Sequence, residues 1–248
     1  MKCLVINLDR SVDRLAHVQA EFARIGIPFE RVAGVDAAAG SPTVAPPLTP
    51  AEVCCFLSHR ICWRMIADGD DRYGAIFEDD VVFGPHAGSF LADDQWVPKD
   101  ADVVKLETYF VKVRLGRRTV DLDNGYSLSR LIGEHMGAAG YLLSREAARR
   151  LLLGTRRFKG AVDDALFKPT LMTCSGSTNY QLTPAICAQS QFLSENDVPP
   201  TLIQFDVPER QKSLYGRISA EAVRTYGHLR NRSFLGTVKL DMVPFVRA

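Results

Sequence analysis

Long hydrophobic runs, a CxxC pair and a strong net charge are all missing from this chain of 248 residues. No apolar stretch reaches the roughly 20 residues of a membrane-spanning helix, and Asp9 and Arg10 follow closely on the apolar residues 3–6, so we expect neither a transmembrane segment nor a signal peptide. A net charge of +1 gives no overall case for nucleic-acid binding. Because the six cysteines include no CxxC pair, we expect free thiols in a reducing cytoplasm, without a structural zinc site.

Hydrophobic residues make up 46% of the chain, which is enough for the core of one globular domain, and we place that domain at residues 1–206. The composition then changes. Residues 208–248 contain eight Lys or Arg and three Asp or Glu, a net charge of +5, so the rest of the chain carries −4. We therefore predict a basic extension over residues 207–248, in which the apolar spacing and three glycines favour two short helices.

The order of the periodic segments predicts an α/β fold. An apolar run at residues 3–6 indicates a buried strand, a helical pattern follows between Ser11 and Gly26, and residues 29–32 indicate a second strand. A β-α-β unit of this length is typical of a parallel sheet covered by helices.

A capping-box sequence from Thr49 to Glu52 predicts the start of a second helix, which ends near Gly69. We read residues 37–47 as a loop. The further elements are predicted strands at residues 73–77, 102–106 and 138–143, a hairpin at residues 110–122 with its turn at Gly116, and a helix from Ser144 to about Leu153. Together these elements predict a mixed, mostly parallel sheet flanked by helices.

Three acids, Glu78, Asp79 and Asp80, come directly after the predicted strand at residues 73–77. In open α/β sheets, ligands bind beyond the carboxyl ends of the strands. Adjacent carboxylates repel one another, so we expect a positive group to compensate them. Their hard oxygen atoms suit Mn²⁺ or Mg²⁺, which can also hold the phosphates of a substrate. A solvated acidic turn is the alternative interpretation.

The passage from the first strand into the first helix holds candidates for an anion site. The N–H groups of a helix N-terminus and nearby guanidinium groups bind anions together. A capped helix with surface arginines is the alternative. The candidates are Asn7, Asp9, Arg10 and Arg14.

Later segments add four polar candidates. Ser58 and His59 lie on the second predicted helix, where His59 shares a face with Glu52, although a packed structural histidine is the more ordinary interpretation. Asp163 and Asp164 stand at a predicted helix start, where acids ordinarily serve as caps. With a metal and a sugar nearby, one of these two acids would instead act as a general base.

These pieces occur in a familiar order, and the chain resembles the family 25 glycosyltransferases, the bacterial lipooligosaccharide and lipopolysaccharide galactosyltransferase group. Weaker matches occur at residues 140–144, at Val162 with Asp163, and at Gln189. The four stretches that carry the resemblance are residues 5–15, 29–36, 48–59 and 75–81.

The resemblance implies a GT-A-type fold, a UDP-sugar donor that is usually UDP-galactose, a saccharide acceptor, and transfer with inversion. Glu78, Asp79 and Asp80 then correspond to the family's metal-binding Asp-x-Asp motif, for Mn²⁺ or Mg²⁺. Asp163 is the candidate general base, with Asp164 in reserve. The expected contacts of the donor are Asn7, Asp9, Arg10, Arg14, Asp36, Ser58 and His59.

Two alternative functions stay open at this point. A degenerate member of the family would bind ligands without catalysis. A metal-dependent nucleotidyltransferase would usually carry a glycine-rich loop after its first strand, where this chain has residues 7–10 without glycine.

The basic extension bears on where the enzyme works. Acceptors of the family are usually lipid-linked, so the extension is expected either to hold a cytoplasmic enzyme on the anionic inner face of the membrane or to pack on the core. We expect no nucleic-acid partner.

Overall fold

The computed structural model describes residues 1–40, 48–168, 176–193 and 238–247. The helices within these ranges are α1 (Val12–Ile25), α2 (Pro50–Asp68), α3 (Ala87–Ala92), α4 (Arg145–Gly154) and α5 (Val162–Phe167). The strands are β1 (Lys2–Asn7), β2 (Glu30–Ala33), β3 (Tyr73–Glu78), β4 (Val81–Phe83), β5 (Val103–Lys105), β6 (Glu107–Thr108), β7 (Lys112–Asp121), β8 (Ser127–Leu131), β9 (Gly140–Ser144), β10 (Asn179–Thr183), β11 (Cys187–Gln189) and β12 (Val238–Met242).

The described strands form a nine-stranded sheet in the order β12-β7-β8-β10-β5-β9-β3-β1-β2 and a three-stranded sheet in the order β4-β11-β6. In the larger sheet six strands run in the direction of β1, and β8, β9 and β12 run against it. The predicted α/β architecture, with a mixed and mostly parallel sheet flanked by helices, is confirmed for these residues.

The β1-α1-β2 unit forms as the sequence predicts. Helix α1 ends at Gly26, whose φ of +71° is a left-handed conformation that glycine adopts without strain. Its buried face includes Phe22, which packs edge-on against Phe77 of β3 and Phe83 of β4, with ring centroids 5.6 and 4.9 Å away. This packing holds α1 against the strands whose ends carry the acidic residues.

Helix α2 begins at the predicted capping box. The Thr49 hydroxyl accepts from the main-chain N–H of Glu52, and the Glu52 carboxylate accepts from the N–H of Thr49. The helix contacts α4 and α5, and its Trp63 is completely buried. The face that reaches the ends of the strands carries the predicted Ser58 and His59.

The predicted hairpin at residues 110–122 is wrong. Strand β7 continues through Gly116, and the turn that leads into β8 lies at Asn124 and Gly125, whose φ values are +58° and +77°. The pairing of β7 with β8 shifts register after Leu115. The glycine inside this alternating pattern therefore lies at an irregularity within one strand, as glycines at β-bulges often do. It does not form a turn between two strands.

Most of the predicted extension, residues 207–237 and 248, lies outside the described residues, as do residues 41–47 of the predicted loop and Cys174. The described end of the extension is not helical, because β12 pairs antiparallel with β7 and so extends the large sheet. No helix in the described ranges combines the length and the apolar character that crossing a membrane requires.

Candidate active site

The acids Glu78, Asp79 and Asp80 close a strand in the interior of the large sheet. The N–H of Glu78 donates to the carbonyl of Ala139 at 3.0 Å, and the chain then turns into β4. Asp79 and Asp80 are only 5% and 2% exposed, whereas the Glu78 side chain is 26% exposed. The predicted strand-end position is confirmed, and the alternative of a solvated acidic turn is wrong.

Arg14 supplies a positive charge to two of the three neighbouring carboxylates. Its guanidinium lies 2.8 Å from an oxygen of Asp79 and 2.7 Å from an oxygen of Asp80. Asn7 donates to the second oxygen of Asp79 at 2.7 Å. Burial raises the pKa of Asp79, although Arg14 and Asn7 oppose that shift. The structure thus brings together residues from two separately predicted groups, and Arg14 is occupied by protein carboxylates.

A second series of hydrogen-bonded side chains connects Asn7 to solvent. Arg31 of β2, which the sequence analysis did not select, donates to the side-chain oxygen of Asn7 at 2.9 Å. The same guanidinium pairs with Asp9 at 2.5 Å. The Asp9 side chain is 82% exposed, so this pair faces solvent at the carboxyl ends of β1 and β2.

Arg10 and Asp36 form an ion pair beside this edge, 2.6 Å apart. The bond from Arg10 and the N–H of Ala38 lower the pKa of Asp36. Ser58 holds the segment between β2 and Asp36 against α2, because its hydroxyl accepts from the N–H of Val35 at 2.8 Å. Ser58 is itself buried, so its role in the described structure is to position this segment.

His59 is completely buried and lies directly behind Glu78. One ring nitrogen, Nε2, is 3.3 Å from a carboxylate oxygen of Glu78, and the other, Nδ1, is 3.0 Å from the hydroxyl of Tyr141. The indole N–H of Trp63 donates to the same hydroxyl at 2.7 Å. His59 therefore contacts the acidic cluster but has no exposed surface of its own. Glu52, the predicted neighbour of His59, is bonded to Thr49 instead.

The hydrogen bond from Trp63 to Tyr141 favours one tautomer of the neutral His59 ring. An indole N–H can only donate, so the Tyr141 hydroxyl accepts from Trp63 and is free to donate its own proton to Nδ1. In the neutral ring the proton then lies on Nε2, which donates to Glu78. Ligand atoms of Cys55, His59 and Glu78 lie within 4.8 Å of one another, a spacing that could hold a metal. In the tautomer with the proton on Nε2, the nitrogen that faces Glu78 has no lone pair for a metal ion.

A buried ion pair that the sequence analysis missed lies behind the neighbouring strand end. Lys105 and Glu107 are both fully buried, with 2.8 Å between the ammonium and the carboxylate. The carboxylate also accepts from the N–H of Ala139 at 2.9 Å and from the side chain of Gln189 at 3.2 Å. Charges so far from water are maintained only with such complete pairing.

Gly137 connects this ion pair to Asp163. Its carbonyl accepts from Lys105 at 2.6 Å, and its N–H donates to one oxygen of Asp163 at 3.1 Å. The second Asp163 oxygen accepts from the N–H of Asp164. The Asp164 side chain instead lies by Gly160 and 3.5 Å from the ammonium of Lys168. Asp163 is therefore linked through Gly137 to the Lys105–Glu107 ion pair, and we refer to these connected residues as the strand-end network.

Four carboxylates from three segments raise the pKa of the Tyr109 phenol. Burial is the main cause that raises the pKa of Tyr109 to about 12, and the negative charges add to it. In decreasing order of effect the charged residues are Glu107, Asp163, Glu78 and Asp80. Burial likewise raises the pKa of Glu78, with Asp80 contributing and His59 opposing. The strand ends therefore enclose a region of concentrated negative charge, suited to a cation and to hydroxyl donors.

Some of the residues that the sequence analysis missed could have been identified from the sequence, and others could not. Glu107 follows the predicted strand at residues 102–106, so the rule that selected Glu78 applied to it as well. Tyr141 and Trp63 are aromatic residues in buried segments, and their polar atoms gain a role only through contacts that link distant segments. No local pattern indicates those contacts.

A family model described as "Glycosyltransferase family 25 (LPS biosynthesis protein)" matches residues 1–166, about two thirds of the chain. The chain belongs to glycosyltransferase family 25. This membership confirms the resemblance drawn from the sequence motifs.

Individual relatives in this family extend the match towards the C-terminus. The chain is 35% identical over 234 residues to the lacto-N-neotetraose biosynthesis glycosyltransferase LgtB of Neisseria meningitidis serogroup B, with 82% of each chain covered. It is 36% identical over 225 residues to LgtE of Neisseria gonorrhoeae, covering 78% of this chain and 77% of LgtE. It is 29% identical to the lipooligosaccharide biosynthesis protein lic2B of Haemophilus influenzae, with 78% of each covered.

Solved structures show more distant similarity. A mutant of Drosophila β-1,4-galactosyltransferase 7, in complex with manganese, UDP-Gal and xylobiose, has a TM-score of 0.39 and 12% identity, covering 73% of this chain and 63% of the other. An active-site mutant of LgtC has a TM-score of 0.36 and 11% identity, with 72% of each chain covered.

Proposed function

We propose that this family 25 glycosyltransferase is an inverting hexosyltransferase that moves galactose from UDP-galactose, with Mn²⁺ or Mg²⁺, to a saccharide of lipooligosaccharide or lipopolysaccharide. The observation that carries the proposal is the convergence of Glu78, Glu107 and Asp163 on the segment 137–139, where Ala139 accepts from the N–H of Glu78 and donates to Glu107, and Gly137 donates to Asp163. The names of the relatives, which refer to lacto-N-neotetraose and lipooligosaccharide biosynthesis, support the class of acceptor.

The residues at the strand end fit a divalent cation. Glu78 and Asp80 offer carboxylate oxygens, the donors that Mn²⁺ and Mg²⁺ prefer. Asp79, which belongs to the same motif, accepts from Arg14 and Asn7 and thereby helps to hold the turn. When bound, the cation would offset the negative charge that develops on the diphosphate of the departing UDP.

The exposed members of the predicted donor contacts lie together at the carboxyl ends of β1 and β2. We assign Arg10 to the diphosphate and Asp9 and Asp36 to the ribose or the base, since guanidinium groups bind phosphates and carboxylates accept from hydroxyl groups. The buried members, Asn7, Arg14, Ser58 and His59, support this edge through their hydrogen bonds and ion pairs.

Asp163 is the proposed general base. The acceptor hydroxyl would lose its proton to this carboxylate as its oxygen bonds to the anomeric carbon, while the bond from that carbon to the UDP oxygen breaks. Two contacts support Asp163 over Asp164: Gly137 joins Asp163 to the strand-end network, and Lys168 lies beside Asp164. The Asp163 carboxylate accepts two hydrogen bonds and keeps further lone pairs that can accept the hydroxyl proton of the acceptor sugar.

The experiment compares Asp163→Asn with Asp164→Asn as a matched control. Asp163→Asn should lower turnover at least ~100-fold, in line with general-base losses, and leave the Kd for UDP-galactose little changed. Asp164→Asn should keep most of the activity. The reverse order would move the base by one residue. An inactive wild-type protein that still binds UDP-galactose would favour the non-catalytic alternative.

We also propose that the basic extension holds the enzyme at an anionic membrane surface, since each Lys or Arg near such a surface contributes about 1 kcal/mol. The residues concerned lie outside the described ranges, so the proposal rests on their charge pattern. Sedimentation with anionic vesicles at low salt should exceed that with neutral vesicles, and replacing Arg224, Arg230 and Arg232 with Gln should reduce the difference. Equal sedimentation with both lipids would leave a structural role.

A further inference from the structure

Three aromatic side chains border the acidic region, and we refer to Tyr109, Phe110 and Phe192 as the aromatic rim. The rings of Tyr109 and Phe192 meet at 4.5 Å and 64°, and those of Phe110 and Phe192 at 6.3 Å and 63°. Phe110 and Phe192 are each 36% exposed. Two large apolar rings thus stay partly in solvent although the core lies close by.

The backbone turns Phe110 outward at a cost in strain. Its φ of +53° lies in the left-handed region, which is an outlier for a bulky residue that is not glycine. The Phe110 N–H donates to the hydroxyl of Thr108, and that hydroxyl donates to the carbonyl of Val243 at 2.7 Å. Strain maintained by surrounding contacts is concentrated at ligand-binding sites.

Gly137 joins the aromatic rim to the proposed base. A Cβ at this position would meet the Tyr109 ring at 3.0 Å and the Glu107 carboxylate at 2.9 Å, so no larger residue fits. The N–H of Gly137 donates to Asp163. The aromatic rim and Asp163 therefore contact the same residue from different sides.

We propose that the aromatic rim is a subsite for the acceptor, where it binds the apolar C–H face of a pyranose whose hydroxyl groups point towards the carboxylates. This inference rests on the proposed function, and it specifies an acceptor sugar with one continuous C–H face, such as a β-linked hexose. Aromatic rings supply rigid apolar contact, while nearby carboxylates accept hydrogen bonds from hydroxyl groups.

Charge favours a sugar over a lipid as the occupant. The Asp163 carboxylate, which accepts from Gly137 beside the Tyr109 ring, would repel the phosphate of a lipid headgroup, whereas a neutral sugar meets no such repulsion. Phe110 and Phe192 are each about one third exposed and Tyr109 is partly buried, so the apolar surface of the rim is small and suits a single sugar ring better than an acyl chain.

The test uses saturation-transfer NMR on the full chain with Mg²⁺ and UDP bound. The probes are the methyl β-pyranosides of glucose, galactose and N-acetylglucosamine, and vesicles of phosphatidylglycerol. Phe110→Gly with Phe192→Ala removes both exposed rings, and glycine also relieves the strained φ, so folding is preserved. Leu153→Ala is the matched control, since it removes an exposed apolar side chain from α4.

We expect saturation of the C–H protons on one face of at least one pyranoside, reduced about 3- to 10-fold in the double variant and unchanged in Leu153→Ala. UDP affinity and slow hydrolysis of UDP-galactose without acceptor should stay at wild-type values in both variants. Those two readouts report on the proposed function separately. The inference is overturned if no pyranoside binds, if the double variant binds as the wild type does, or if only the vesicles depend on the rim.

Discussion

The imidazole Nε2 of His59 lies 3.3 Å from the carboxylate of Glu78, and the ring has no exposed surface. Trp63 donates to the Tyr141 hydroxyl, and in the tautomer whose proton lies on Nε2 that hydroxyl donates to Nδ1 and the ring presents an N–H to Glu78. This contact restrains one oxygen of the Glu78 carboxylate, whose side chain is 26% exposed. We propose that His59 is a positioning residue for this carboxylate, so that its effect on a ligand passes through Glu78.

Two replacements of His59 should distinguish the effect of its hydrogen bond to Glu78 from the effect of its side-chain volume on Mn²⁺ binding. His59→Gln keeps an amide N–H that can reach Glu78, whereas His59→Leu keeps the volume and loses the donor. We expect His59→Leu to weaken Mn²⁺ binding about 10- to 100-fold, the range found when partners of metal ligands are removed. His59→Gln should recover most of that affinity. Titration of Mn²⁺ by electron paramagnetic resonance gives the Kd for each variant.

Equal Mn²⁺ affinities in His59→Leu and His59→Gln would contradict this role, and His59 would then be a packed histidine with no influence on the site. Thermal melts of both variants serve as the control, because a general loss of structure would lower affinity without any dependence on the donor.

Arg14 should contribute strongly to stability, because it pairs with two nearly buried carboxylates. Arg14→Met removes the guanidinium that Asp79 and Asp80 share and should lower the free energy of unfolding by about 3–5 kcal/mol. Arg149→Met, in an exposed pair with Glu146, should change it by at most about 1 kcal/mol. Urea unfolding measures the free energy of unfolding of both variants. Similar losses in the two variants would show that the buried ion pairs of Arg14 stabilise the protein no more than the exposed pair does.

Much of the fold could be predicted because local signals agree with tertiary packing. The capping box at Thr49, the Gly26 stop and the Ser144 cap all appear where the sequence places them. The hairpin at residues 110–122 could not be predicted correctly, since Gly116 has the same appearance inside a strand as in a turn. What separates the two cases is the pairing with β8, a contact that no local pattern records.

Residues of the candidate site could be predicted where they directly follow a recognisable strand. Glu78 and Asp80 fall in that class, and Arg14 could be anticipated only as an unidentified compensating charge. The bonds of His59 to Tyr141 and of Glu107 to Gln189 join residues more than 80 positions apart. Their side chains gain a role only once the sheet order is known.

His135 should make stability depend on pH. The imidazole is 6% exposed, and burial with the nearby Lys105 charge lowers its pKa from 6.5 to about 3. Between these values the unfolded chain binds a proton that the folded chain does not, so the stability present above pH ~6.5 is lost as the pH falls. We expect the wild type to lose about 1 kcal/mol per pH unit relative to His135→Asn over this interval. Urea unfolding between pH ~6 and ~4 tests this, and parallel pH profiles would contradict it.

The most direct test of the proposed function follows label from UDP-galactose into a lipooligosaccharide acceptor, with Mn²⁺, with chelator, and with Asp80→Ala in Mn²⁺. The account predicts transfer by the wild type in Mn²⁺, loss of transfer in chelator with recovery when Mn²⁺ is restored, and no Mn²⁺-dependent transfer by a folded Asp80→Ala protein. Full transfer in chelator, or by Asp80→Ala, would contradict the assignment of the strand-end carboxylates to a metal.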